Sequence, residues 1–359
     1  MSIRVIGYLL VLSFASPALA ARSAGVITSL SGDAEVFTRP STTANGPKPR
    51  VRFEGKYYSI KKARVGKKLK FNQVIKTGTK TKLKITFVNG DNLMLGPGTA
   101  LSLAELKDAV LSNKQKGQLM NLIYGKVRAV ISKNGPRKNL RVKTKSAVAG
   151  VRGTDFYVGY NGAKEVTEVA VLRGKVAVDT DAQSAVRATR LLKKGYTAEV
   201  RKVVEMSKDI PQQLPSKGQK MGSKKMTSQK IGAVAGFEKP IKITILSKDD
   251  LKVIDQESTV KTDERQLEQA PEDVKKLVQQ LEKKSVEVVL QDIKEDDPEQ
   301  YKKIEKVAVN AKTVDAVNAA VINQLQVMAP EEEAARKISE EELLKNIDGG
   351  EDVYKKYFK

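Results

Sequence analysis

The feature that most narrows the fold is a seven-residue alternation that runs straight into a turn. In Lys82-Leu83-Lys84-Ile85-Thr86-Phe87-Val88, an extended strand places Leu83, Ile85 and Phe87 on one face and Lys82, Lys84 and Thr86 on the other. The pattern predicts one buried face and one wetted face. Asn89-Gly90 then tolerates the positive φ of a tight hairpin, and Leu93 and Leu95 resume the buried face on the return strand. Gly96-Pro97-Gly98 forms the next corner. The same cadence is visible at Val26 to Thr28, Glu35 to Phe37 and Thr99 to Leu103. It returns at Asp155 to Gly159, Glu165 to Leu172, Lys175 to Val178 and Thr197 to Val200, with Asn161-Gly162 and Arg173-Gly174 as corners. Short strands bounded by turn residues spell an all-β region.

Two segments interrupt this cadence. Pro40 to Arg50 lacks an apolar period and reads as a surface loop, and Ala104 to Asn121 has room for a short helix. Between Met206 and Gly236 the chain turns to Lys, Ser, Gln, Gly and Pro, a composition that buries too little apolar surface to order itself. This stretch reads as a flexible linker. Its Lys217, Lys220, Lys224, Lys225 and Lys230 make it either a solvated tether or an arm for anionic lipid or wall.

After about Phe237, helix signals take over. Ser247 with Asp250, Asp297-Pro298 with Gln300, and Ser339 with Glu342 are N-terminal capping arrangements, and Pro271 suits another helix start. From Tyr301 to Met328 a heptad can be laid with Ile304, Ala311, Asn318 and Leu325 as one core row. Val307, Val314, Val321 and Met328 form the other. Val317 and Ile322 widen the stripe toward intrachain packing, whereas Asn318 in a core row suits the register of a coiled-coil dimer. A last short helix fits Asp352 to Phe358.

The first twenty residues read as an address. Met1 to Arg4 carry one positive charge, Val5 to Ala15 form an apolar run, and Pro17-Ala18-Leu19-Ala20 ends small-x-small, so cleavage is expected after Ala20. A membrane span would need roughly 18 apolar residues, and no later segment supplies them. The chain has no cysteine and no histidine. These absences remove disulfides, the usual zinc, copper and haem ligands, and Ser-His-Asp or Cys-His nucleophile systems. No cofactor or metal is expected. Carboxylate chemistry alone survives, such as a glycosidase with two Asp or Glu residues. The chain also lacks tryptophan, and aromatics are only 5% of it, which disfavours a sugar-stacking cleft.

Charge divides the chain. Residues 21–240 carry 44 Lys or Arg against 15 Asp or Glu, and residues 241–359 carry 20 against 27. In an exported chain, so basic a body points away from nucleic acid and toward lipid phosphate, lipopolysaccharide or peptidoglycan carboxylates. Two other readings stand beside this one: a merely solvated basic surface, and an acidic tail folded back on the basic body.

Residues 25 to about 204 resemble the FecR domain family. The residues that carry the resemblance run from Val142 to Phe156, with Thr144 and the Arg152-Gly153-Thr154-Asp155-Phe156 signature. Thr77-Gly78 and the hairpin at Asn89-Gly90-Asp91 add to it, with Gly25-Val26, Gly125-Lys126-Val127 and Gly174-Lys175-Val176 as repeated Gly-x-Val elements. The resemblance implies an all-β domain of stacked, rolled strands that binds a periplasmic or outer-membrane protein and relays its state. In the family's regulators a cytoplasmic segment holds a sigma factor. Here a cleavable leader is expected in its place, so the expected type is an exported variant without that segment.

The partition is therefore a leader over 1–20, a FecR-like β domain over 21–205, a basic linker over 206–236 and an acidic helical region over 237–359. Thr77, Gly78, Gly90, Thr144, Arg152, Gly153, Thr154 and Phe156 are expected to be structural. Arg152, among apolar neighbours, needs an anionic or carbonyl partner, and Asp155 is a local candidate. Asn89, Asp91 and Asn92 carry oxygens that could hold calcium but lack a defined acidic loop, which favours a plain hairpin. Lys61, Lys62, Arg64, Lys67, Lys68 and Lys70 form the densest basic cluster and are the candidate surface for an anionic polymer or a partner. The expected function is non-enzymatic binding in the envelope, with structural binding of peptidoglycan or lipopolysaccharide as the alternative. The oligomeric state stays open.

Overall fold

A computed structural model describes residues 23–46, 49–105, 118–135, 140–151, 153–180, 189–201, 241–260 and 264–335. The leader, the linker over 206–236, Arg152 and the last expected helices lie outside the described residues.

Strands come first along the chain. They are β1 (Ser23–Ser31), β2 (Ala34–Ser41), β3 (Val51–Phe53), β4 (Lys56–Lys62), β5 (Lys68–Lys70) and β6 (Gln73–Thr77). Next come β7 (Lys82–Thr86), β8 (Asn92–Leu95), β9 (Ala100–Glu105), β10 (Gln118–Ile131), β11 (Leu140–Lys143) and β12 (Ala147–Val151). The series ends with β13 (Thr154–Asn161), β14 (Val166–Arg173), β15 (Lys175–Thr180), β16 (Thr189–Lys193), β17 (Tyr196–Arg201) and β18 (Ile241–Ile245). Five helices follow: α1 (Lys248–Ser258), α2 (Glu264–Glu268), α3 (Glu272–Asp296), α4 (Pro298–Ala308) and α5 (Val314–Ala335).

The pairings resolve into two sheets. Sheet A runs β5-β1-β7-β8-β10-β13-β14-β17-β18, all antiparallel. Sheet B runs β3-β4-β2-β6-β9-β10-β11-β12-β15-β16, with β10 and β11 parallel. The long strand β10 belongs to both. Its first half pairs with β9 and β11, and its second half, from Gly125, pairs with β8 and β13. Gly125 makes the switch at φ 94°, where an added Cβ would sit 2.5 Å from the Cα of Thr99. Only glycine fits there.

The inner faces of the two sheets enclose the main core, with Ile27, Leu83, Ile85, Phe156 and Val169 from sheet A and Val36, Ile75, Leu101, Val142 and Val176 from sheet B. Each such side chain contributes roughly 2 kcal/mol by leaving water. A second core lies on the outer face of sheet A. There Met94, Val130, Tyr157, Ala170 and Leu172 meet Leu251, Ile254, Val289, Ile293, Ile304, Val317 and Ile322 of the helices. The architecture is sheet on sheet with a helical layer over one of them, mainly β with the helices confined to the C-terminal region.

Several sequence expectations need correction. The face of Lys82, Lys84 and Thr86 is not wetted: Lys84 is 1% exposed and Thr86 is buried, because the helices cover them. Ala104 and Asn121, the ends of the expected helix, lie in β9 and β10, and residues 106–117 are outside the described residues. The region after Phe237 opens with a strand, β18, whose Ile241 pairs with Val200 of β17 before the helices begin. The heptad from Tyr301 to Met328 is two helices, since α4 stops at Ala308 and α5 starts at Val314. Val307, assigned to a core row, is 46% exposed as a result. The capping signals did mark helix starts: Ser247 and Asp250 form a capping box on α1, and Asp297 caps α4 through the Gln300 amide.

Candidate functional site

The outer face of sheet A is where the two charge populations of the chain meet. Alternation along β7, β10 and β13 brings Lys84, Lys126, Arg128 and Asp155 to this face, and the helices lower carboxylates onto it. Lys84 Nζ lies 2.8 Å from Glu282 of α3 and 2.5 Å from Asp315 of α5. Burial works against its charge, but Asp315 and Glu282 outweigh burial and hold the ammonium above its ordinary pKa. Arg128 donates two hydrogen bonds to the Asp155 carboxylate, at 2.8 and 2.7 Å, and a weaker one to Ser258 of α1 at 3.4 Å. Arg173 lies 3.6 Å from Asp296 and 4.0 Å from Asp292, with Lys133 2.7 Å from Asp296. Lys126 pairs with Glu257 and Lys194 with Asp297. Burial pushes the Asp292 carboxyl up, with Arg173 pulling the other way. Tyr157 donates its hydroxyl to Glu257 at 2.8 Å, and burial, then Glu257, drive its pKa up.

Buried ion pairs of this kind lend orientation more than net stability, because desolvation offsets most of their Coulomb attraction. The Arg128–Asp155 pair ties β10 to β13, and the others tie the helical layer to the β fold. Together they couple the helical layer to the sheet, so a displacement of either is felt by the other.

Beyond the edge of the helical layer the same face opens into a cleft of about 910 Å³, walled by Tyr124, Tyr157, Tyr160, Lys126, Glu168 and Glu199. Burial first, then Asp250 and Glu257, raise the Glu168 carboxyl above its ordinary value. Glu168 and Glu199 stand opposite each other on the adjacent strands β14 and β17 and share one face.

The residues singled out in the sequence fall elsewhere. Thr77 is buried, with its hydroxyl donating to the Gly96 carbonyl at 2.7 Å and accepting from the Thr99 amide at 2.8 Å. Gly78 donates its amide to the Asp33 carbonyl, and Gly90, at φ 94°, lets the hairpin pass under Val288 of α3. Thr144 shares a 2.6 Å hydrogen bond with Thr167, Gly153 turns at φ 66° against Lys133, Thr154 is buried, and Phe156 lies in the main core. Arg152 lies outside the described residues, and Asp155, the partner expected for it, is held by Arg128. Asp91 and Asn92 spend oxygens on the Ser132 amide and the Thr86 hydroxyl rather than lying open to a cation.

The basic cluster straddles the seam between the sheets, because Lys61 and Lys62 end β4 of sheet B and Lys68 and Lys70 lie on β5 of sheet A. Lys61, Lys62, Arg64, Lys68 and Lys70 are exposed, and Lys62 reaches Asp33 at 2.8 Å. The Lys67 ammonium is pulled below its ordinary pKa by burial, then by Lys61 and Arg64. Asn318 on α5 is 3% exposed within the helical layer. Neither side-chain atom has a hydrogen-bond partner among the described residues.

The buried cations Lys84, Arg128 and Arg173 were not singled out in the sequence. Singly they look like surface residues, and the opposite net charges of the two parts hinted only at the helical partners of Lys84 and Arg173.

A two-sheet fold with a strand shared through a glycine corner and a charged face held under helices defines a mainly β module with a helical layer on one sheet. Residues 73–177, from β6 into β15, match the family model described as FecR protein. β1 to β5 and β16 to β18 lie outside that match and complete the same sheets. Two crystal structures of a protein named a candidate anti-sigma factor from Parabacteroides distasonis, at 1.65 and 2.50 Å, are similar at 19% and 18% identity with a TM-score of 0.29. Each similarity covers 36% of this chain and 55% of the other. No curated protein matches the chain. No helix among the described residues is long and apolar enough to cross a membrane.

Proposed function

We infer that this is an exported, non-enzymatic FecR-domain protein that binds an envelope component or partner protein and relays that contact from its β fold to its C-terminal helices. The observation that carries the reading is the set of buried ion pairs between sheet A and the helices, Lys84 with Glu282 and Asp315 above all. A partner that shifts either layer must move the other, which is the physical requirement for a relay. Photo-crosslinking in living cells from positions 61 and 88, followed by identification of the neighbours, tests it. Enrichment of envelope proteins or envelope polymers supports the reading. Enrichment of cytoplasmic proteins alone would overturn it.

A second reading is favoured by one observation, the crowding of Lys61, Arg64 and Lys67 at the sheet seam. Like charges held together at a cost in free energy suit a polyanion, which relieves their repulsion. On purified sacculi, charge-driven retention should fall steeply as salt rises toward 0.5 M and weaken in Lys61→Ala/Arg64→Ala/Lys67→Ala. Retention insensitive to both salt and substitution would refute the polyanion reading while leaving a shaped protein interface in place.

A further inference from the structure

The buried triad of Lys84, Glu282 and Asp315 places together the groups of a reaction that ion pairing leaves unused. β7 carries Lys84 to the outer face of sheet A, where its side chain is 1% exposed, against 10% for Glu282 and 15% for Asp315. Its Nζ donates to Asp315 Oδ2 at 2.5 Å, so the carboxyl carbon Cγ is at most one carbon–oxygen bond, about 1.2 Å, farther away. Reacting atoms attack from roughly 3–3.5 Å. An amine nitrogen and a carboxyl carbon are thus held near bonding distance. Val286, one turn on from Glu282, and Val314, beside Asp315, are buried in the outer core, which gives the triad apolar surroundings.

A second observation concerns Glu282. Its Oε1 lies 2.8 Å from the same Nζ, yet neither of its carboxylate oxygens has a hydrogen-bond partner among the described residues. A buried carboxylate with its acceptor capacity unspent, beside an N–H, is placed to take a proton. Asp315 stands in the first turn of α5, where the partial positive charge of the helix end favours an oxyanion developing on its carboxyl. Nucleophile, electrophile and base therefore converge from β7, α5 and α3. With no cysteine, the chain has no disulfide to tie these layers.

We propose that Lys84 and Asp315 join in an intramolecular amide bond, formed by the chain itself with Glu282 as the proton carrier. The ammonium first passes one proton to the Asp315 carboxylate, which replaces two buried charges by a neutral amine and a neutral acid. The Nζ lone pair then attacks Cγ while Glu282 takes a second proton from the nitrogen. Glu282 returns that proton to the departing hydroxyl, the C–O bond breaks, and one water leaves. An ammonium and a carboxylate thus become an amide and water, with no oxidant, cofactor or added reactant. Both acids favour the ammonium beforehand, so the amine is scarce and the reaction slow, but it runs only once per chain. Fixed positions in the fold compensate, since well-oriented intramolecular reactions reach effective molarities of about 10⁵–10⁸ M. The bond goes beyond the relay reading, and its failure would leave the ion pairs and the relay in place.

The test is intact-mass spectrometry of the folded full chain without its leader, followed by tryptic mapping. The expected mass is that of the sequence less one water, with a branched peptide joining the Lys84 and Asp315 segments and no cleavage after Lys84. Lys84→Arg, which keeps the charge, and Asp315→Ala should each run at full sequence mass, with thermal unfolding showing both variants folded. Glu282→Gln should leave most chains unreacted. The parent's own mass decides the matter even where a variant fails to fold: a folded parent at full sequence mass would overturn the bond. Water lost without the branched peptide, as in a succinimide elsewhere, or a branch at Glu282 would overturn it equally. Complete reaction in Glu282→Gln would overturn the part given to Glu282.

Discussion

Lys84 occupies a position where an ammonium would be intolerable alone: fully buried, with Glu282 and Asp315 as its counter-charges. Truncating it strands both acids. Lys84→Ala should therefore lower stability by roughly 3 kcal/mol or more, read as a reduced urea midpoint. Glu168 should behave in the opposite sense. Its carboxyl is raised above the ordinary 4.5 by burial, then by Asp250 and Glu257, so the folded chain holds this proton more tightly than the unfolded one. Ionisation at neutral pH then costs stability, and the cost disappears as pH falls through the raised value to about 4.5. Glu168→Gln should melt at or above the parent's temperature at pH 7, with the gap closing by pH 4.5. A variant less stable than the parent at pH 7 would show that Glu168 has a stabilising partner.

At the scale of elements, β10 determines how the sheets are joined, and Gly125 determines β10. Gly125→Ala places a methyl 2.5 Å from the backbone of Thr99 at a φ that only glycine adopts freely, so a loss of roughly 2–4 kcal/mol is expected in urea unfolding. A loss under about 1 kcal/mol would mean the corner relaxes easily. Much at this scale was legible in the sequence. Lys82 to Val88 announced its strand, Asn89-Gly90 its hairpin, Ser247 and Asp297 their helix starts, because strand period, turn chemistry and capping act over a few neighbouring residues. What covered each face was not legible. Lys84 reads as wetted until Glu282 and Asp315, some two hundred residues on, are known to lie over it. The heptad failed for a related reason, since periodicity runs on through residues 309–313 where the helix itself stops. The cleft was invisible because it depends on Gly159, Glu168 and Glu199 lining up across three strands.

For the whole molecule, the opposite charges of the two parts are the plan of assembly. The basic body keeps its seam lysines exposed, yet buries Lys84, Arg128 and Arg173 beneath a segment whose own acids lie inward. The helices thus behave as a third layer of one structure. The relay proposed for this protein rests on that coupling. Hydrogen exchange tests it most directly, comparing the intact chain with the double variant Glu282→Gln/Asp315→Asn and following amides in β7, β14, α3 and α5. Coupled layers predict that the variant loses protection in strands and helices together, by similar factors. Loss confined to α3 and α5, with β7 and β14 as protected as in the parent, would contradict the coupling and leave the helices a mere appendage of the β fold.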